Sequence, residues 1–309
     1  MMQSNLRFAA VVAIVAAGAG IAAMGKLERQ IGFDSVREIW GDLVRDADQV
    51  TMKAAHVSTA EEVELGTKLS ASMKGAWTED QPLTEYVTGV AASLKGFVRR
   101  KDMPYHFHVV ESPQVNAFAL PGGEIYVFRG LLEFVESEAE LAAILGHEMS
   151  HVDMKHCIDH YRYEVAMKRV GAAEVGQGID QSRRLASIAY SQFQEVEADA
   201  QGMRMSIDAT YDPEAAARLF QRMSQAFEGK SKVYRKTPAG EAVAATAAMV
   251  SDFFRSHPRS EDRSRRLAEL SRNEHSRLAG SLFYIGVKNL NGHIPLSEKA
   301  FDNEWRRMN

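Results

Sequence analysis

The stretch LGHEMSHVDMKH, Leu145 to His156, places three histidines and a glutamate within twelve residues. His147 and His151 are four residues apart, so on a helix their directions differ by only about 40° and both imidazoles can reach one ion. Glu148 lies about 100° from His147, beside such an ion rather than on it. A general base that takes a proton from metal-held water would occupy that position. The pattern therefore predicts a metallopeptidase helix rather than a polar helix face.

The residues around this motif predict a helix that is buried along one side. Ser137 and Glu140 have the spacing of a capping box and predict the start of the helix. We expect helical structure to continue to about Gly171. An apolar stripe on the face next to the histidines is predicted to pack on the core, and it consists of Leu141, Ile144, Leu145 and Val152.

The third histidine of the motif does not fit as a third ligand. On a continuous helix His156 points about 140° away from His151. The extended pattern HxxGxxH also fails, because His156 follows His151 by five residues and no glycine lies between them. We expect His156 and His160 to be structural or solvated.

The missing ligand is predicted in QEVEADAQG, residues 194–202. A catalytic zinc site takes three protein ligands and water. Glu195 and Asp199 share one helix face, whereas Glu197 points about 200° away from Glu195 and should face solvent. We therefore expect Glu195 on the metal, with Asp199 accepting the second N–H of a ligand histidine. Taken alone, the segment would be interpreted as a charged surface helix.

The composition is that of a globular protein: 309 residues, 45% hydrophobic, 25% charged, with a net charge of −4. Basic and acidic residues are interspersed, so we expect no nucleic-acid partner. The single cysteine, Cys157, excludes an intramolecular disulfide framework and a cysteine-rich zinc site. Any metal must therefore bind His, Asp or Glu.

The N-terminal segment from Phe8 to Met24 is apolar and uncharged, with Arg7 in front of it. It fits a cleaved signal peptide, with Ala17-Gly18-Ala19 as the cleavage site. It fits equally a retained membrane anchor, slightly shorter than the about 20 residues that a span needs. A buried helix is a third interpretation. Either of the first two exports the rest of the chain.

Between the N-terminal segment and the motif helix, the sequence predicts two helices and then strands. The helices begin near Ser58 and Pro82, and a strand covers YHFHVVES, residues 105–112. Two short apolar runs joined at Pro121-Gly122-Gly123 predict a hairpin or tight turn. After the predicted ligand helix, Glu228 to Gly240 is a polar loop, and its Lys230 to Gly240 part with the alanine-rich helix behind it could form a lid.

These motifs together resemble the HtpX, BepA and CAAX-prenyl-protease family of zinc metallopeptidases. LGHEMSHV and the later ExxxD are joined by NAFALPGGEIYVFRGLL ahead of them and SHPRSEDR after them, in the family's order. The resemblance spans roughly Glu61 to Leu270. Ser191-Gln192 departs from the Ser-Arg of many members. Because the multi-span membrane helices of the other branches are absent, the exported single-domain branch is the closer comparison.

The resemblance implies an α+β, mostly α, zincin-like domain in which the strand from Glu124 to Phe128 borders the cleft. It implies one Zn²⁺ per chain, held by His147, His151 and Glu195. Glu148 would take a proton from water that zinc acidifies and pass it to the leaving amine. An extended polypeptide would add to an exposed edge strand through backbone hydrogen bonds.

The family pattern also marks less specific candidates. His257 would donate to the oxyanion as a catalytic residue, or bind zinc as a fourth ligand in a closed resting form. A structural histidine at a helix start is the alternative for this position. Arg263 would pair with a carboxylate near the site. Asn116 and Gly123 would bind substrate, although a turn role fits Asn116 equally.

The expected organisation is a signal peptide or anchor (1–30), a helical connector (31–60), a zinc metallopeptidase domain (61–270) and a C-terminal extension (271–309). The expected function is zinc-dependent proteolysis in the periplasm or cell envelope, in protein quality control or processing. Polypeptides such as misfolded envelope proteins would be the substrates, and the inner membrane a partner if the N-terminal segment is retained. A non-catalytic zinc-stabilised chaperone or scaffold is the alternative, and a protease that cuts only its own tether is another.

Overall fold

The computed structural model describes residues 57–74, 78–159, 161, 190–232, 257 and 263–308, which all belong to one compact unit, Val57–Asn309. The helices are α1 (Thr59–Met73), α2 (Gln81–Lys95), α3 (Arg129–Phe134), α4 (Glu138–Asp153), α5 (Gln192–Asp208), α6 (Ala215–Lys232), α7 (Arg263–Leu278) and α8 (Val287–Gly292). The strands are β1 (His106–Val110), β2 (Ala117–Ala119), β3 (Glu124–Phe128), β4 (Leu282–Tyr284) and β5 (Trp305–Arg307), with 3-10 turns at Pro121–Gly123 and Asp302–Glu304. This confirms the predicted class, α+β and mostly α.

A three-stranded sheet with the order β1-β3-β2 lies beside α4. β1 pairs with β3 in parallel, and β2 pairs with β3 antiparallel across the turn at Pro121–Gly123, as the hairpin pattern predicted. β3 is thus the central strand, and the prediction that Glu124–Phe128 borders the cleft is wrong. The edge strand packed against α4 is β2.

The central position of β3 follows from its side chains. Ile125 and Val127 join the main core on one face of the sheet. Tyr126 and Phe128 pack on the other face in a second cluster that includes Leu69 of α1. A strand that is covered on both faces is apolar at nearly every position. From a continuous apolar run alone, the sequence does not indicate whether β3 lies at the edge or in the centre of the sheet.

The N-terminus of α4 forms half of the predicted capping box. Ser137 caps the helix, and its hydroxyl accepts the Glu140 N–H. The Glu140 carboxylate does not return to Ser137. It accepts the Glu136 N–H at 2.8 Å and pairs with Arg222 of α6. The ion pair with a neighbouring helix therefore replaces the second bond of the box.

The C-terminal segment also holds this end of α4. Glu138 is fully buried and accepts hydrogen bonds from Tyr86 Oη at 3.0 Å, Tyr211 Oη at 2.9 Å and Leu296 N at 2.8 Å. Its own N–H donates to the carbonyl of Gly286 at 3.1 Å. Residues assigned from sequence to a C-terminal extension thus pack on the helix that carries the motif.

The motif helix is interrupted after Asp153. α4 stops at Asp153, whose carboxylate accepts the backbone N–H groups of Arg99 and Arg100 at 2.7 to 3.0 Å. A two-residue turn follows, in which Lys155 has a φ of 66°, and helical geometry resumes at His156. Helical structure therefore continues past Asp153, as predicted, but with a break at residues 154–155, and residues 162–189 lie outside the described residues.

α4 and α5 cross with their backbones in close contact at two glycines. A Cβ on Gly202 of α5 would lie 2.6 Å from the backbone nitrogen of His147 and 2.7 Å from the carbonyl carbon of Gly146. A Cβ on Gly146 would lie 2.8 Å from the carbonyl oxygen of Gly202. Only glycine at both positions allows this approach, which brings the HEMSH helix next to the helix of Glu195.

The predicted loop Glu228–Gly240, the lid and the N-terminal apolar segment lie partly or wholly outside the described residues. α6 continues to Lys232, so the first residues of the predicted loop Glu228–Gly240 are helical instead. The rest of that loop and the proposed lid lie outside the described residues, as does Phe8–Met24. In the part that is described, no helix combines the length and the hydropathy of a membrane span.

We predict that Gly202→Ala lowers the free energy of unfolding by about 1–3 kcal/mol, because the added methyl group meets backbone that cannot move aside. Urea denaturation of the metal-free protein measures this. Gly96→Ala is the matched control, since a Cβ there meets nothing within 4 Å and the residue already has a right-handed helical conformation. Equal effects of the two changes would contradict the close helix contact.

Candidate active site

The two motif histidines meet a carboxylate from the neighbouring helix. His147 Nε2 and His151 Nε2 on α4 are 3.1 Å apart. Glu195, in the first turn of α5, has Oε2 3.7 Å from His147 Nε2 and Oε1 3.4 Å from His151 Nε2. All three side chains are buried. The crossing of α4 and α5 therefore brings together the three residues predicted as metal ligands.

His257 joins this cluster from a distant part of the chain. Its Nδ1 is 3.0 Å from Glu195 Oε1 and 3.2 Å from His147 Nε2, and its side chain is fully buried. The ligand atoms of His147, His151, Glu195 and His257 all lie within 4.8 Å of one another. We call these four residues the donor cluster.

The donor cluster fits a zinc ion. Imidazole nitrogen and carboxylate oxygen are zinc ligands, and three or four of them around one ion is the usual number. Without a cation, several lone pairs would converge at about 3 Å in a pocket that excludes water, which is unfavourable. Among the described residues no second group of His, Cys, Asp and Glu meets the same distance criterion.

The electrostatics of the donor cluster suit ligands of a cation. Burial lowers the pKa of His151 well below its ordinary value, so the ring is neutral. Burial opposes ionisation of Glu195, but the charges of His257 and Arg263 outweigh it and hold the pKa of the carboxyl well below its usual range. A neutral imidazole and an ionised carboxylate are the states in which these groups bind metals.

Glu148 lies beside the donor cluster without being part of it. Its Oε1 is 3.3 Å from His257 Nε2, and the side chain is fully buried. Neither of its carboxylate oxygens has a hydrogen-bond partner among the described residues. A buried carboxylate in this condition is costly, by roughly 1–3 kcal/mol or more. A carboxylate in this environment is suited to accept a proton at the site rather than to stabilise the fold.

Asp199 and Arg263 connect the donor cluster to its surroundings. Asp199 Oδ1 lies 3.0 Å from His147 Nδ1, the nitrogen that faces away from the cluster. Arg263 donates to Asp199 Oδ1 at 2.6 Å and to Glu195 Oε2 at 2.9 Å. Its guanidinium also stacks over the Phe220 ring at 3.9 Å. One buried arginine thus balances two buried carboxylates and fixes the first turn of α7.

Two side chains that contact His151 were not predicted from sequence as part of the site. His156 is buried, with Nδ1 3.0 Å from His151 Nδ1. The Tyr190 ring stacks on the His151 ring, with centroids 3.6 Å apart and planes inclined by 15°, while its hydroxyl lies 3.3 Å from Cys157 Sγ. The break after Asp153 turns His156 back toward the site, so an angle measured along a continuous helix misplaces it.

The two predicted substrate-binding residues lie on the sheet. Asn116 precedes β2, and its Oδ1 accepts the Ala117 N–H at 2.9 Å. Gly123 is buried in the turn before β3 with a φ of 86°, and a Cβ there would lie 1.8 Å from the carbonyl oxygen of Pro104. Close packing accounts for this glycine without a substrate. The hydrogen bond of Asn116 to the Ala117 N–H is compatible with a turn role and with a substrate role. His160, predicted to be structural or solvated, lies outside the described residues.

We predict that Arg263→Met lowers the free energy of unfolding of the metal-free protein by roughly 3–5 kcal/mol, because it leaves two buried carboxylates without their counter-charge. Denaturation in the presence of a chelator measures the loss. Arg277→Met on the same helix is the control. Arg277 is 54% exposed in its ion pairs with Glu274 and Asp208, so we expect a much smaller loss, because solvent screens exposed ion pairs. Equal losses would contradict the role of Arg263.

Comparisons with known proteins agree with this geometry. Over 195 residues the chain is 31% identical to the mitochondrial metalloendopeptidase OMA1 of Schizosaccharomyces pombe, covering 61% of this chain and 53% of that protein. It is 24% identical over 195 residues to the beta-barrel assembly-enhancing protease of Escherichia coli, covering 57% and 40%. A bovine mitochondrial OMA1 metalloendopeptidase is 32% identical over 133 residues, covering 38% and 25%. The aligned part is thus about half of each relative or less.

The family itself follows from a match over most of the chain. Residues 79–271 match the model of peptidase family M48, which is more than half of the 309 residues. The matched range contains α4, α5 and every residue of the donor cluster. The chain belongs to peptidase family M48.

Proposed function

We propose that this chain is a zinc-dependent endopeptidase in which His147, His151 and Glu195 bind the metal and Glu148 is the general base. The convergence of the three ligand side chains beside a buried carboxylate that has no hydrogen-bond partner in the described chain carries the proposal. The names of the relatives, a metalloendopeptidase and a protease, support the same chemistry.

Each residue has one task in this reaction. When bound, zinc supplies a Lewis acid that lowers the pKa of a water and polarises the scissile carbonyl. Glu148 takes the proton of the attacking water and delivers it to the nitrogen of the leaving amine. Asp199 accepts the Nδ1–H of His147 and keeps its Nε2 directed at the donor cluster. Arg263 holds Asp199 and Glu195 in place.

His257 holds the site in a closed resting form. Its Nδ1 contacts the ligand atoms of Glu195 and His147, and its Nε2 lies 3.3 Å from Glu148 Oε1. It therefore lies between the ligands and the base, where a scissile carbonyl must enter. This contact favours the fourth-ligand role over the oxyanion role. Substrate then binds only after the His257 side chain has left this position.

An extended polypeptide is the substrate form that the sheet accommodates. Phe128 N donates to Asn116 O and Leu120 N donates to Glu124 O, so residues 116, 118 and 120 face β3. The backbone groups of Ala117 and Ala119 therefore point to the side of β2 that pairs with no other strand among the described residues, although both residues are buried in this form. A substrate strand would pair there, which makes recognition tolerant of sequence. Asn116 Oδ1, bonded to Ala117 N–H, occupies the place of a substrate carbonyl.

The N-terminal composition and the name of one relative support a setting in the cell envelope. The apolar stretch Phe8–Met24 has the composition of a signal peptide or anchor and favours export to the cell envelope. One relative is named for enhancing beta-barrel assembly, which supports a role in quality control or processing of envelope proteins. Unfolded envelope polypeptides are therefore the proposed substrates.

A non-catalytic, zinc-stabilised chaperone or scaffold is the second candidate function. A structural zinc site is closed by four protein ligands, and His257 supplies a fourth donor. Glu148 opposes this alternative, because a structural site needs no base and a buried carboxylate with no hydrogen-bond partner among the described residues does not stabilise the fold.

We predict that Glu148→Gln retains one zinc per chain and lowers the rate of casein cleavage by about 10²–10⁴-fold, the usual contribution of a general base. Zinc content by atomic absorption and cleavage with and without chelator are the measurements. Glu85→Gln, a change of the same type on the exposed face of α2, should leave both unchanged. Undiminished cleavage by Glu148→Gln would refute its role as the base. A wild-type protein that binds zinc but cleaves nothing would support the scaffold.

We predict that His257→Ala cleaves casein faster than the wild type, because it removes the side chain that closes the site. The double variant with Glu148→Gln should be inactive, which would show that the added activity arises at this site. If His257→Ala keeps its zinc and is as inactive as Glu148→Gln, His257 takes part in the reaction, and the resting-state role is wrong.

A further inference from the structure

The ring of His151 is held from both of its nitrogens. Nε2 faces the donor cluster, 3.1 Å from His147 Nε2 and 3.4 Å from Glu195 Oε1. Nδ1 lies 3.0 Å from Nδ1 of His156. The second nitrogen of His156, Nε2, lies 3.5 Å from Oε2 of Glu197. A chain of three side chains therefore leads from the donor cluster to a carboxylate that is 34% exposed.

The protons along this chain can be placed without conflict. If His151 Nε2 is the ligand atom, the proton of that neutral ring is on Nδ1 and is donated to His156 Nδ1. His156 then carries its own proton on Nε2, which points to the Glu197 carboxylate. Each N–H group then faces an acceptor, and the negative charge of Glu197 favours this placement of the two protons. The geometry thus selects one tautomer for each ring.

The local fold brings His156 into this position. α4 ends at Asp153, and the left-handed conformation of Lys155, with a φ of 66°, reverses the chain before His156. His156 is only 5% exposed, so it is not a solvated surface histidine. Tyr190, stacked on the face of the His151 ring, fixes its plane, while His156 fixes the direction of its nitrogens within that plane.

The other motif histidine has a different support. His147 Nδ1 lies 3.0 Å from a buried carboxylate, Asp199, which is itself bonded to Arg263. His151 instead reaches a carboxylate indirectly, through a second imidazole, and that carboxylate is accessible to solvent. The second nitrogens of the two ligand histidines are therefore contacted by different side chains.

We infer that His156, supported by Glu197, is a positioning residue for His151 and controls how firmly the site retains its metal. This inference rests on the proposed zinc site. Partners of ligand histidines typically change metal affinity by about 10–100-fold when they are removed. Because His156 contacts the His151 nitrogen that faces away from the donor cluster, and Glu197 contacts His156, their effect passes through the orientation of His151.

The test is the rate at which the purified 309-residue chain loses zinc to excess chelator. His156→Phe keeps an aromatic ring but no acceptor, and should release zinc about 10–100-fold faster than the wild type. His156→Asn places Oδ1 near the position of Nδ1 and should restore most of the retention. Glu197→Gln should fall between these two. Arg204→Gln, an exposed change on the same helix, should match the wild type.

A second measurement separates positioning from stability. Urea unfolding of the metal-free variants should show His156→Asn and His156→Phe alike within about 1 kcal/mol, although their zinc-release rates differ. Equal release by His156→Phe, His156→Asn and the wild type would overturn the inference. If His156→Phe does not fold, the Glu197→Gln variant is the test instead. Zinc release from Glu197→Gln at the same rate as from Arg204→Gln would then overturn the inference. A wild-type protein that binds no zinc would refute the proposed function itself.

Discussion

The contact between Gly146 and Gly202 is the constraint on which the site depends. It lets two helix backbones approach until a Cβ on either glycine would lie 2.8 Å or less from the other backbone. Two histidines on α4 and a glutamate on α5 can therefore share one ion. Ligands on separate helices are held as precisely as the helices themselves, and here the helix crossing is fixed by backbone contact rather than by side chains that can change rotamer.

Charge balance is the second requirement of the site. The donor cluster and its neighbours bury three carboxylates, Glu148, Glu195 and Asp199, in a region with little solvent. Arg263 offsets two of them. Burial disfavours the charged form of His257, but the Glu195 and Glu148 carboxylates outweigh burial and raise the pKa of this ring. A bound cation would take over part of this role. The same residues thus stabilise the fold and prepare it for metal.

Local signals in the sequence predicted much of this arrangement. The four-residue spacing of His147 and His151, and of Glu195 and Asp199, requires only helical geometry, and the structure places these side chains together. The central position of β3 and the break after Asp153 depend on long-range packing. β3 is covered on both faces, and Asp153 is bound by the backbone of residues 99 and 100. The residues that cover β3 and those that bind Asp153 are distant from them in sequence. The break after Asp153 could therefore not be predicted, and His156 and Tyr190 could not be recognised as neighbours of the site.

X-ray absorption at the zinc K-edge of the purified protein tests the central claim, that His147, His151 and Glu195 hold a zinc ion. The expected result is one zinc per chain with four nitrogen or oxygen ligands at about 2.0–2.2 Å, three of them imidazoles while His257 is in place. The His257→Ala variant should lose one imidazole. Substoichiometric zinc, or a sulfur ligand from Cys157 at about 2.3 Å, would contradict the assignment.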